Sequence, residues 1–288
     1  MEGVNQSVVS EFIILGLCSS WELQAFLLVT FSSLYLITIL GNICIVLLII
    51  ADIHLHSPMY FLLASLSFTD FCLSSVTTPK MITDFLKENM CQIFFGHFFG
   101  GGEMVLLVSM AYDRYVAICK PLHYLSFMNR QMCIGLVMTS WSIGFVHSIS
   151  QLAMIISFFC DIPLVIKLAC IDTSILEMWI NADSELLATI CFILLLISYS
   201  YILLTICLHS KDGASKALFT CTAHITVVVL FFGPCIFIYL WPLSITWVDK
   251  FLAVFYAVIT PLLNPAIYTL GTKKLKMPLR DYDCSDGL

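Results

Sequence analysis

Charge is what this chain most lacks. Only 11% of its 288 residues are Asp, Glu, Lys or Arg, against about 25% in water-soluble domains. With 60% hydrophobic residues and a mean hydropathy of +0.99, it could not cover itself with polar surface. A soluble enzyme and a disordered chain are therefore both excluded. A formal net charge of −6 also removes nucleic-acid binding through a basic face. Internal repeats, low-complexity tracts and long polar linkers are missing, which leaves one domain. Catalytic signatures are missing too: there is no His-Glu-x-x-His and no supported Ser-His-Asp order. Gly100-Gly101-Gly102 lies inside an apolar run and cannot cradle a phosphate there. Enzyme function is not expected.

What remains is a chain whose solvent is the bilayer. At about 1.5 Å of rise per residue, roughly 20 apolar residues cross a hydrocarbon core about 30 Å thick. Seven runs are long enough: about Leu23–Ile50, Pro58–Ile82, Ile93–Cys119, Cys133–Ile156, Leu176–Leu208, Lys216–Leu240 and Lys250–Leu270. They are continuously apolar rather than alternating, so they read as helices and not as barrel strands. The fold expected is an all-α membrane protein, a bundle of seven transmembrane helices. The first run is longer than a signal peptide and no Lys or Arg precedes it, so it is expected to stay as an anchor.

Orientation follows from the basic residues. With the N-terminus outside, the cytoplasmic segments hold Arg114, Lys120, Arg130, Lys211, Lys216, Lys273, Lys274, Lys276 and Arg280. The outside then holds Lys80, Lys87, Lys167 and Lys250, and nine against four favours this arrangement under the positive-inside rule. Asn5-Gln6-Ser7 would then lie outside as a glycan acceptor. Most of the 13 cysteines fall in apolar runs and act as small apolar side chains. Cys91, Cys160 and Cys170 sit in loop-like stretches on one side, which would be the oxidising one.

Ionisable groups inside a membrane need a reason, because each costs about 3 kcal/mol on insertion scales. Asp70 and Glu103 fall mid-span, with the amides of Asn42 and Asn264 at similar depth. Two readings stand side by side: a site for a small cation such as Na+, or a hydrogen-bonded polar seam that locks the bundle. Asp113-Arg114-Tyr115 closes the third span, where Arg114 can either pair in a switchable contact or merely snorkel. Pro261-Leu262-Leu263-Asn264-Pro265 places two prolines four apart in the seventh span. Each proline removes a donor and leaves a carbonyl without its usual partner, so a kink is expected there.

Taken as an ordered set, these motifs are specific. Gly41-Asn42, the string PMYFLLASLSFTD from Pro58, MAYDRYVAICKPLHY from Met110, Ser198-Tyr199, KALFTCTAH from Lys216 and PLLNPAIY from Pro261 resemble the olfactory receptors. That family consists of rhodopsin-like, seven-helix, G-protein-coupled receptors, and the likeness runs from about Glu11 to Leu270. The resemblance implies an extracellular segment over 1–22, a receptor domain over 23–270 and a cytoplasmic tail over 271–288, in a multi-pass protein of the plasma membrane. It implies binding of small volatile, mostly apolar odorants in the outer half of the bundle. Coupling to a stimulatory G protein that raises cAMP follows from the same likeness, with membrane lipid as the other partner and no nucleic acid. By position, Asp113, Arg114 and Tyr115 would form an activation latch with Tyr199, Asn264, Pro265 and Tyr268. Lys216 and His224 would mark the inner end of span six. Asp70 and Glu103 match the family's intramembrane acidic pair; no other cofactor is implied.

For the odorant pocket, helical spacing groups His97, Gly101 and Met104 on span three, and Phe232, Cys235 and Tyr239 on span six. Both stripes read equally well as helix-packing core. The glycines would leave volume for a ligand in the first reading. The resemblance also implies a disulfide from Cys91 to Cys160, with Cys170 as the alternative partner. Here the chain departs from the family, because Cys91 directly precedes Gln92 instead of standing three residues before it. A two-position shift turns a helical side chain by about 200°. Phe219 in place of a small residue, Gly271, Pro278 and an unrelated tail are further departures. An altered receptor that keeps the architecture without signalling is therefore the alternative reading.

Overall fold

The computed structural model describes residues 21–83, 90–160, 174–208, 221–234 and 258–271. Five helices in it are long and apolar enough to cross a bilayer: α1 (Trp21–Ala51), α2 (Pro58–Thr83), α3 (Met90–Cys119), α5 (Arg130–Cys160) and α6 (Ser174–Leu208). The single-turn α4 (Tyr124–Phe127) lies between α3 and α5. Two shorter pieces, α7 (Cys221–Pro234) and α8 (Thr260–Gly271), occupy the sixth and seventh expected spans. No strand occurs among the described residues.

Hydropathy hardly distinguishes the faces of these helices, but burial does. Along α1, Thr38, Asn42, Ile45 and Ile49 are buried, while Leu36, Leu40, Leu47 and Ile50 are exposed. The spacing of four, three and four residues is one helical stripe turned inward, and the other sides meet lipid. Serine and threonine hydroxyls in the spans bond back to the carbonyl four residues earlier, as Thr38, Thr69, Thr77, Ser109 and Ser140 do. Each satisfies its own donor without a neighbour, which makes a polar residue tolerable in hydrocarbon.

The central element is α3, which packs against α2, α5 and α6. Its glycines set how close α5 can come. A Cβ on Gly144 of α5 would collide with the backbone of Phe98 and Gly102. Small residues at such crossings let helix backbones approach, and dispersion between them drives association where no hydrophobic effect operates. Leu66, Leu106, Leu107, Ile202 and Phe231 fill the shared core with almost no exposure.

At the other side of the bundle α1 meets α8, and the reason is chemical. Pro265 has no N–H, so the Pro261 carbonyl four residues earlier loses its ordinary helical donor. Asn42 Nδ2 of α1 donates to that oxygen at 3.1 Å, and to Thr38 O at 3.0 Å. The neighbouring Gly41 admits the Pro265 ring, which lies 3.6 Å from where a Cβ would stand. A wide π-type turn at residues 258–259 leads into α8. The proline pair is thus built into the fold through the Gly41-Asn42 step of α1.

Candidate functional site

Three polar groups interrupt the apolar bundle. The first lies mid-depth, where Asp70 of α2, Glu103 of α3 and Asn264 of α8 are all buried. Asn264 Nδ2 donates to Asp70 Oδ2 at 2.8 Å, and the Glu103 carboxyl is near enough to that of Asp70 for the two to interact electrostatically. Asp70 Oδ1, Glu103 Oε1 and Ser74 Oγ are buried without a hydrogen-bond partner. Buried oxygens left over in this way are costly, and they are also the donor set a small hard cation accepts.

The second group sits at the Arg114 end of the bundle. Lys120 leaves the helical region before Pro121, as residues preceding proline do, and α3 stops there. The chain turns through Pro121–His123 into α4, which brings Tyr124 back under α3. Its hydroxyl donates to Asp113 Oδ1 at 2.8 Å. Arg114 Nη2 stands 3.3 Å from Asp113 Oδ2, at ion-pair distance. Burial, and then the Asp113 carboxylate, push the Tyr124 phenol above its usual value of 10.0. Asp113 therefore holds a charged and a neutral partner at once, one on each carboxyl oxygen.

Beside it, the Tyr199 hydroxyl of α6 bonds His224 Nδ1 of α7. His224 also faces the Tyr268 ring of α8, with centroids 6.4 Å apart, and Tyr268 donates to Met110 Sδ of α3 at 3.9 Å. His224 Nε2 is buried without a partner. Four helices thus converge on one aromatic and imidazole cluster. Of the residues expected around the latch, Tyr199 and Tyr268 both face His224, whereas Tyr115 turns to Tyr112 and Tyr201. Lys216 lies outside the described residues.

The third group lies toward the opposite end. His97 meets His147 edge-on at 5.4 Å, and a Cβ on Gly101 would stand 3.2 Å from His147 Cδ2 and 3.4 Å from Gly144 Cα. The space beside Gly101 is thus filled by α5, as the packing reading of that stripe has it. Met104 packs on the core, and Phe232 is buried between Phe231 and Phe192. Cys235 and Tyr239 lie outside the described residues. Cys91 is an exposed free thiol, so it makes no disulfide in this structure. Cys170, the Cys160 side chain and Asn5 lie outside the described residues.

Sequence reasoning missed the partners of Asp183. His147 Nδ1, Ser150 Oγ and Gln151 Nε2, all on α5, converge on Asp183 Oδ2 of α6 at 3.2, 2.8 and 3.0 Å. A cavity of about 530 Å³ opens beside them between α5 and α6, lined by Val146, Leu186, Leu187 and Ile190. The only signal in the sequence was a run of polar residues at matching depth on two greasy helices.

Apolar helices crossing a bilayer around buried polar clusters define a multi-pass, helix-bundle membrane protein. Comparison with known sequences narrows this. The family model for the olfactory receptor matches residues 31–281. Human olfactory receptor 4K3 is 55% identical over 295 residues, covering 96% of this chain and 94% of the relative. Human olfactory receptors 4K15 and 4F5 are 56% and 54% identical, covering 96% and 95% of this chain and 91% and 96% of those relatives. The chain belongs to the olfactory receptor family, a family of seven-helix receptors and not of enzymes.

Proposed function

We propose that the chain is an odorant receptor of the plasma membrane, with its N-terminus outside and its tail in the cytoplasm. Small volatile, mostly apolar molecules bind in the half of the bundle remote from Arg114. Binding shifts α7 and α8 against α3, and the Arg114 end opens to a stimulatory G protein that raises cAMP. The observation that carries this reading is the convergence of α3, α6, α7 and α8 on Tyr199, His224, Tyr268 and Met110, beside the Asp113–Arg114–Tyr124 latch. A junction shared by four helices responds to small displacements of any one of them, which is what a bistable element requires. The leftover oxygens of Asp70 and Glu103 suit a resident Na+ that would hold α2, α3 and α8 together in the resting form.

The test is an odorant panel on cells carrying the receptor with an N-terminal tag stained without permeabilisation. Surface staining with a cAMP rise to at least one odorant is expected. Staining without any response across a broad panel would contradict the proposal. A second reading, an altered receptor without productive signalling, draws on the free, exposed Cys91. Retention inside the cell would support that reading instead.

A further inference from the structure

The cleft between α5 and α6 is distinct from the latch and from the mid-depth acidic group. Its apolar walls are exposed on the outside of the bundle, as Val146, Leu186 and Ile190 show, so in a bilayer they face lipid. Its lining also includes the polar side chains of His147 and Asp183. A volume of about 530 Å³ is that of a small-molecule site, and such sites pair apolar walls with a few placed polar groups.

Asp183 decides what fits. The three donors that hold it all bind Oδ2. None of these bonds reaches Oδ1, and the Asp183 side chain is 29% exposed. Its only ion-pair partner among them is His147; no lysine or arginine joins it. A carboxylate has about four lone-pair sites, so the bonds to Oδ2 leave those of Oδ1 open on a residue that lines the cleft. The three fixed bonds hold the carboxyl in one orientation before any ligand arrives, which lowers the cost of binding.

We propose that this cleft is a second binding site, loaded sideways from the bilayer, for a protonated amine on a short apolar chain. The ammonium donates to Asp183 Oδ1, and the chain lies along Val146, Leu186 and Ile190. Charge complementarity favours a cation there over an alcohol, and a carboxylic acid would be repelled. The site does not depend on the odorant reading, because binding is measured without signalling.

The experiment uses the full chain purified into phosphatidylcholine nanodiscs, with octylamine, octan-1-ol and octanoic acid as probes of equal chain length. The melting temperature is followed against probe concentration. Octylamine is expected to give a saturable rise, with octanol and octanoic acid giving little. Asp183→Asn should weaken octylamine at least about tenfold, as loss of a charge-assisted pair does. Ile190→Trp fills the lipid-side mouth, leaves the polar cluster whole, and should abolish the rise while the unliganded protein melts as before. Equal shifts from octanol, or full octylamine binding in both variants, would overturn the proposal. So would displacement of octylamine by phosphatidylethanolamine added to the nanodisc, which would assign the cleft to a lipid headgroup.

Discussion

Gly144→Ala is the substitution whose cost the structure fixes best. A methyl on Gly144 would run into the Phe98 carbonyl oxygen and stand 2.8 Å from Gly102 N and 3.2 Å from Gly102 Cα. All of these are backbone atoms, which cannot swing away as the end of a side chain can. The two helices must therefore part, at the typical cost of overpacking, about 1–3 kcal/mol. Gly135 supplies the control. It lies on the same helix with nothing within 4 Å of its would-be Cβ, so alanine there gains only helix preference, about 1 kcal/mol. That gain is common to both variants, and their difference is the clash alone. For a chain of this size it corresponds to a melting point roughly 2–10 °C lower for Gly144→Ala than for Gly135→Ala. The buried thiols of Cys133, Cys191 and Cys221 allow the melt to be read with a thiol-reactive dye in detergent. Equal melting points for the two variants would refute the close-approach argument.

Asn42→Leu removes the donor that replaces the missing proline N–H at Pro261 O; a loss of about 1–3 kcal/mol is expected, read as a lower melting point and reduced surface display. Tyr124→Phe strips one partner from Asp113, and raised cAMP without ligand is expected in cells showing normal surface staining. The Tyr124 phenol is raised in the folded protein, so its bond to Asp113 is fully present below about pH 10 and fades as pH rises through the higher folded value. Tyrosine absorbance titration should accordingly show one fewer late-titrating phenol in Tyr124→Phe. If Asp70 and Glu103 hold Na+, the wild-type protein should melt higher in sodium chloride than in choline chloride, and Asp70→Asn should erase that gap.

Elements set by continuous hydropathy were legible from composition. Expected ends of Leu23–Ile50 and Pro58–Ile82 became Trp21–Ala51 and Pro58–Thr83, because a bilayer demands a minimum run of apolar residues and little else. The single turn of α4 was not legible: its four residues carry no period, and its existence depends on Pro121 ending α3. Among site residues, Asp113 and Arg114 are chain neighbours, so their pairing could be read directly. Tyr124 could not be assigned to Asp113, since only the reversal of the chain after α3 brings it back. The proline pair announced an orphan carbonyl, but not that Asn42, 219 residues earlier, would satisfy it. His147 and Asp183 lie 36 residues apart on two different helices, and only the packing of α5 against α6 brings them together, which is tertiary information. Inward and outward faces of the pocket helices were hidden for the same reason: lipid and core select equally apolar side chains.

In the proposed function, ligand binding remote from Arg114 is read out through that residue. Its most direct test compares wild type with Arg114→Ala in the same cells, matched for surface staining, using an odorant to which the wild type responds. A cAMP rise is expected in wild type and none in the variant. A full response from surface-displayed Arg114→Ala would contradict it.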